Sequence, residues 1–172
     1  LAKKFNDVKN MDKIQIYEFL KNKEVPFEII EHKAINNMRQ ALEIQTPYPE
    51  YEAKNLFVRD DKKLNYYIIT VKGDKRVDLK EFRKNNFLRH LSFASEQDLQ
   101  ELLNLTAGSV TPLGLFNDKS FKVIFYLDKN FLLDKALIGV HPNDNTATVW
   151  LKTQDLINLI EENGHRVNLV NV

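Results

Sequence analysis

Cysteine is absent from all 172 residues. Disulfides, thiolate zinc sites and cysteine nucleophiles are excluded with it. A chain without disulfides is compatible with the reducing cytoplasm, which is the expected location. An excess of charge is also missing: 25 basic and 24 acidic residues leave a net +1. Such a chain does not coat duplex nucleic acid nonspecifically, although a local basic patch can still meet one RNA end. No apolar run approaches the ~20 residues that span a bilayer, so no membrane partner is expected. The opening "LAKKFNDVKNMDK" lacks the apolar core of a signal peptide. Met11 reads as nearer a natural start, with residues 1–10 as a tail. No repeat, low-complexity tract or Gly/Ser linker divides the chain, and 1–172 reads as one domain. GxGxxG, P-loop, HExxH and GxSxG patterns are missing too. No cofactor and no metal are expected.

What is present is ordinary globular material, 43% hydrophobic and 28% charged. Asp12 is a candidate N-cap for a helix carrying Ile16, Phe19 and Leu20 on one face, closed by Pro26. "FEIIEH" reads as a strand and Asn36 to Gln45 as a short helix. The two prolines of "TPYPEYE" forbid regular pairing there. Two apolar strands flank the turn Asp60 to Lys63. Asp78 caps a short helix, and Ser95 with Asp98 forms a near capping box. "FKVIFYLD", "ALIGVHP", "TATVWLK" and "RVNLV" are further strands. Thr153 is expected to cap the last helix and Gly164 to end it. Interspersed helices and short-turn strands predict a mixed α/β (α+β) fold rather than a regular Rossmann unit.

Several segments carry possible chemistry. Lys54 opens an apolar strand beside Asn55. A solvated lysine is the plain reading there, and a phosphate-binding point charge is the functional one. Gly108 to Gly114, "GSVTPLG", is either a surface loop or a rigid loop whose backbone groups line a small pocket. His141 precedes Pro142, which keeps it extended, and the Asn/Asp/Thr residues after it can fix a turn. By itself this is a hairpin loop, with a metal ligand or general base as open alternatives.

Four segments in order, "AKNLFVRDDKK", "VKGDKRVDLKEFR", "LTAGSVTPLGL" and "GVHPNDNTATVWL", resemble the prolyl-tRNA editing (YbaK-like) aminoacyl-tRNA deacylases. The similarity is greatest to the freestanding branch that removes alanine from proline tRNA. "FEIIEHKAINNMRQAL" also resembles that branch, so the resemblance runs from about Ile14 to Val170. It implies a curved, partly barrel-like central mixed sheet surrounded by helices. It also implies hydrolysis of the ester joining a mischarged amino acid to tRNA(Pro). Lys54 falls on the family's essential lysine with Asn55 beside it. Gly108, Ser109, Val110, Thr111 and Pro112 match the GxxxP loop, and His141, Asn145 and Thr146 match the "HP" and "NTAT" elements. Two departures stand out. Lys33-Ala34 follows His32 where relatives often carry prolines, and Tyr51-Glu52 stands where a histidine is expected before the lysine.

The resemblance implies that Lys54, Gly108 and His141 are catalytic and that Asn55, Ser109 to Pro112, Asn145 and Thr146 hold substrate. Lys75, Arg76 and Lys80 form a candidate RNA patch for the tRNA acceptor end, with a plain solvated face as the alternative. Prolyl-tRNA synthetase is a candidate partner. The competing readings are a Cys-tRNA(Pro) or other small-amino-acid deacylase, a noncatalytic tRNA- or synthetase-binding module, and a metal-dependent hydrolase using His141.

Overall fold

The computed structural model describes residues 10–35 and 38–172. The first nine residues of the expected tail, and Asn36 and Asn37 of the expected second helix, lie outside the described residues. Local side-chain chemistry starts the helices. α1 (Lys13–Asn22) opens on Asp12, whose carboxylate accepts from Gln15 N while the Gln15 side chain bonds back to Asp12 N. It buries Ile16, Tyr17 and Leu20. α2 (Met38–Glu43) ends two residues before the expected Gln45. α3 (Leu79–Asn85) is capped by Asp78, and α4 (Glu96–Leu103) by the Ser95–Asp98 capping box. α5 (Thr153–Glu162) corrects one expectation. Thr153 is its first helical residue and not its cap, because the Thr153 hydroxyl donates instead to the Phe131 carbonyl at 2.6 Å. Gly164 does end this helix, at φ +103°.

Among the described residues eight strands form two sheets. The larger has the order β4 (Leu91–Phe93), β2 (Ala53–Asp60), β3 (Tyr66–Lys72), β5 (Val123–Asp128), β8 (Val167–Val170). β2 is antiparallel to β3 and β4, while β5 is parallel to both β3 and β8. The smaller has the order β1 (Phe27–Glu31), β7 (Ala147–Lys152), β6 (Leu137–Val140), all antiparallel. β4 was not anticipated, since three residues carry no readable alternation. The fold is the mixed α/β class expected, with helices packed around two sheets. Side chains of both sheets share the main core, and among the described residues one parallel backbone bridge, Glu52 to Gly139, links them.

The period-two alternation of β2 divides the core. Phe57 packs into the main cluster with α1, α4 and α5, whereas Leu56 and Val58 pack into a second cluster under Phe82 of α3. The β2–β3 turn is tied by buried Asp60, which accepts from Leu64 N, Asn65 N and Asn65 Nδ2 at 2.9, 3.2 and 2.8 Å. Burial works against its charge, yet these bonds win and hold its carboxyl below the usual range.

Gly139 faces Trp150 across the β6–β7 ladder. A Cβ there would lie 2.3 Å from Trp150 Cζ3. Gly139→Ala is therefore expected to cost about 1–3 kcal/mol through overpacking, read as a lower urea midpoint. An unchanged midpoint would mean that Trp150 moves freely.

Candidate active site

A cleft of about 210 Å³ lies at the seam between the two sheets. Glu52, Ala53 and Asn55 line it from the β2 side, and Gly139, Val140, His141 and Thr148 from the small sheet. Gly108, Asn145 and Ile35 complete the wall. Three of the segments singled out in the sequence thus converge on one space. A larger groove of about 700 Å³ runs between α1 and α5, over Phe19, Phe116 and Leu159. None of the motif residues reaches it.

His141 Nδ1 lies 2.9 Å from the Ala147 carbonyl. A carbonyl only accepts, so this nitrogen carries the proton and Nε2 keeps its lone pair. Burial holds the His141 pKa below the ordinary imidazole value of 6.5, partly offset by the Ala147 bond, and the ring is neutral at pH 7. Behind it stands His32, with ring centroids 6.2 Å apart. His32 Nε2 is 3.1 Å from the Thr148 hydroxyl, and Nδ1 is 2.9 Å from the Lys33 carbonyl.

Asn145 donates through Nδ2 to the Ile35 carbonyl at 2.7 Å. Its Oδ1 is buried and has no hydrogen-bond partner among the described residues. Gly108 makes this placement possible, because a Cβ there would stand 2.8 Å from Asn145 Nδ2. Asn55 is held by the Thr70 hydroxyl, which donates to its Oδ1 at 2.6 Å. Glu52 is the one charged side chain lining the cleft among the described residues. Sequence reasoning noted it only as a departure at the position of an expected histidine.

Lys54 itself does not line the cleft: strand alternation turns it to the opposite face of β2 from Ala53 and Asn55. It is exposed, and its Nζ is 3.4 Å from the Lys75 carbonyl. The rest of the GxxxP loop turns inward. The Ser109 hydroxyl donates to the Thr106 carbonyl, Thr111 accepts from Leu113 N, Pro112 is buried, and Val110 packs on the core. Only Gly108 of this loop lines the cleft. Thr146 is also occupied: Lys13 donates to its hydroxyl at 2.8 Å, and that hydroxyl donates to Asp144. Asn143, in the left-handed region at φ 59°, donates to the Met11 carbonyl at 2.9 Å. These bonds tie the His141 turn to α1. Lys75 pairs with buried Asp128 at 2.6 Å, whereas Arg76 and Lys80 are exposed. Among the described residues no three or more His, Asp or Glu side chains are grouped to hold a metal ion.

The family model for the aminoacyl-tRNA editing domain matches residues 32–159. The chain belongs to this family. The matched range contains every residue that lines the cleft, from Ile35 to Thr148. The prolyl-tRNA editing protein ProX of Acetoanaerobium sticklandii is 38% identical over 141 residues, 82% of this chain and 85% of that protein. The prolyl-tRNA synthetase associated domain-containing protein 1 of Mus musculus is 31% identical over 147 residues, 84% of this chain and 86% of its own. A crystal structure described as a candidate trans-editing enzyme for prolyl-tRNA synthetase shares the fold. Its TM-score is 0.65 at 18% identity, covering 95% of this chain and 99% of that one.

The buried imidazole predicts an acid-sensitive editing domain. With the folded pKa of His141 below 6.5, the unfolded chain takes up this proton first as pH falls. The stability it sustains is full above 6.5 and is lost as pH drops from there toward the folded pKa. Unfolding free energy should therefore decline just below pH 6.5 by less in His141→Gln than in the parent chain. Identical pH profiles would show that the ring is not buried neutral.

Proposed function

We propose that the chain is a trans-editing hydrolase that cleaves the aminoacyl ester of mischarged tRNA(Pro), with alanine as the preferred amino acid. The observation that carries this reading is the chemistry of the cleft wall. The Glu52 carboxylate, the unpartnered Asn145 Oδ1 and the bare His141 Nε2 are all acceptors. An acceptor-lined space with one negative charge fits the α-ammonium of an aminoacyl ester. At about 210 Å³ it is smaller than the ~300–1,000 Å³ of ordinary small-molecule sites, which suits one small amino acid.

An aminoacyl ester is already reactive, so positioning and charge stabilisation suffice. Lys54, beside Asn55 at the start of β2, holds phosphate or ribose of the terminal nucleotide. Asn55 and the backbone around Gly108 face the carbonyl, and Ser109 to Pro112 and Thr146 keep those walls in place. The ribose hydroxyl and the backbone orient a water. Its oxygen bonds to the carbonyl carbon, the bond to the ribose oxygen breaks, and that oxygen leaves protonated. His141 shapes the pocket as a neutral acceptor and need not be the base. Selection is steric: the cleft admits a methyl side chain and rejects the proline ring, a stronger filter than the ~1–3 kcal/mol of one methylene.

The tRNA acceptor end approaches over exposed Arg76 and Lys80, with Lys75 holding the loop between them and Lys54 through Asp128. Prolyl-tRNA synthetase is the partner suggested by the names of the relatives. A cytoplasmic place follows from substrates made in translation. A Cys-tRNA(Pro) deacylase is the second reading, favoured by the small cleft volume alone.

Incubation with Ala-, Cys- and Pro-tRNA(Pro) decides the substrate. The alanyl ester should be lost fastest and the prolyl ester spared; equal loss of all three would remove the size filter. Lys54→Ala should abolish deacylation while its circular dichroism spectrum stays unchanged, and near-normal rates would sink its role. His141→Ala should admit larger esters before it alters folding. Glu52→Gln removes the charge facing the ammonium. It should lower kcat/KM roughly ten-fold or more, the size of a hydrogen bond to a charged group, and an unchanged value would overturn the ammonium assignment.

A further inference from the structure

Phe87 is 95% exposed and stands in the left-handed region at φ 56°. Both facts work against stability. The turn after α3 is a Schellman motif: Leu88 N donates to the Arg83 carbonyl at 2.8 Å and Phe87 N to the Lys84 carbonyl at 3.4 Å. Phe87 occupies the position where glycine is usual, because a side chain there costs ~1–2 kcal/mol. Phe121, also left-handed at φ 53°, is different. Its ring packs 4.8 Å from that of His165 and against Gly164. Among the described residues nothing covers Phe87.

The surroundings are cationic. Exposed Lys80 and Lys84 lie one helical turn apart on α3, leading to Phe87. The β2–β3 turn brings exposed Lys62 and Lys63 close by, since Arg89 makes a two-pronged bond to Asp61 at 2.6 and 3.0 Å. Glu81 is the counter-charge on this helix face. The register also orients this surface relative to the cleft. Lys54 alternates with Leu56 and Val58, which pack under α3, so Lys54 and α3 share one face of the large sheet. β4, just after Phe87, pairs with the far end of β2 at Asp60. Asp60 is roughly 20 Å from Lys54, six strand residues away, and Phe87 precedes β4 by a short turn at that end of the sheet. An RNA with its 3′ end in the cleft reaches that distance within about six nucleotides of duplex rise.

We infer that Phe87 is an aromatic platform for RNA, placed at the end of a lysine track that runs from Lys54 along α3. An exposed ring among cations offers a π-face to an unpaired base or a ribose edge while the lysines meet phosphate. The strained, uncovered phenylalanine is then kept for binding, at the expense of stability. The choice of tRNA(Pro) as the probe rests on the editing function proposed above.

The test uses the full chain and end-labelled, uncharged tRNA(Pro) in fluorescence anisotropy across a salt series. Phe87→Gly should unfold at the same or a higher temperature than the parent, because glycine relieves the left-handed strain, yet bind tRNA roughly ten-fold more weakly. Phe87→Trp should restore affinity. Lys84→Ala should reduce the salt slope by about one, whereas Phe87→Gly should leave the slope intact. Unchanged affinity in Phe87→Gly overturns the assignment. If that variant instead loses self-association or synthetase binding, the ring is a protein contact and the RNA platform falls. Deacylation is measured separately on Ala-tRNA(Pro). A chain that binds through Phe87 but hydrolyses nothing defeats the editing reading alone, and a chain that hydrolyses normally with unchanged binding defeats the platform alone.

Discussion

Among the described residues one backbone bridge, Glu52 to Gly139, joins the two sheets, and the cleft lies beside it. It brings the entry to β2 against the end of β6. On one side it fixes Glu52, Ala53 and Asn55; on the other it fixes Gly139, Val140 and His141. The bridge needs close approach on both sides. Gly139 supplies this by lacking a Cβ against Trp150, and Gly73 N donates to the Glu52 carbonyl at 2.9 Å. The same glycine thus lets the indole pack and lines the cleft. A seam between rigid sheets is a sound place for a site, since strands hold side chains more firmly than loops do.

The electrostatics of this seam are divided cleanly. Inside, the wall presents acceptors around a neutral histidine. Outside, lysines and arginines gather around Lys54 and α3. An aminoacyl-tRNA end has the matching polarity, an ammonium at its tip and phosphates behind. Lys75 shows how the structure separates binding charge from folding charge. It is a lysine in the basic run, yet its ammonium meets Asp128, whose side chain is almost wholly buried. A buried carboxylate without a partner would be far more costly than an exposed lysine without one. The pair therefore anchors the loop whose carbonyl receives Lys54.

Much of the fold could be read locally. Asp12, Asp78 and Ser95 announced their helices because a cap acts through its own next three residues. Gly164 announced a helix end for the same reason. Thr153 misled because its hydroxyl found a distant carbonyl, Phe131, that no local rule contains. β4 was silent because a strand of three residues is recognised by its partner β2 and not by its own pattern. The mixed α/β class was legible, but the division of the strands into two sheets was not, since strand pairing is decided between segments far apart in the chain.

The site shows the same division. The residue types in the four motif segments, and the family they point to, were legible because order and spacing survive in one dimension. That Gly108 alone of its loop reaches the cleft, that Thr146 serves Asp144 and Lys13, and that Glu52 provides the charge were not. Each depends on which face a side chain takes after packing. The sequence by itself determined the chemistry available: no thiol, a lysine before a strand, a glycine loop and a histidine before proline. Only the tertiary structure decided which of these groups are left unpaired at the seam, because an unmet hydrogen-bonding atom such as Asn145 Oδ1 is defined by everything that fails to reach it.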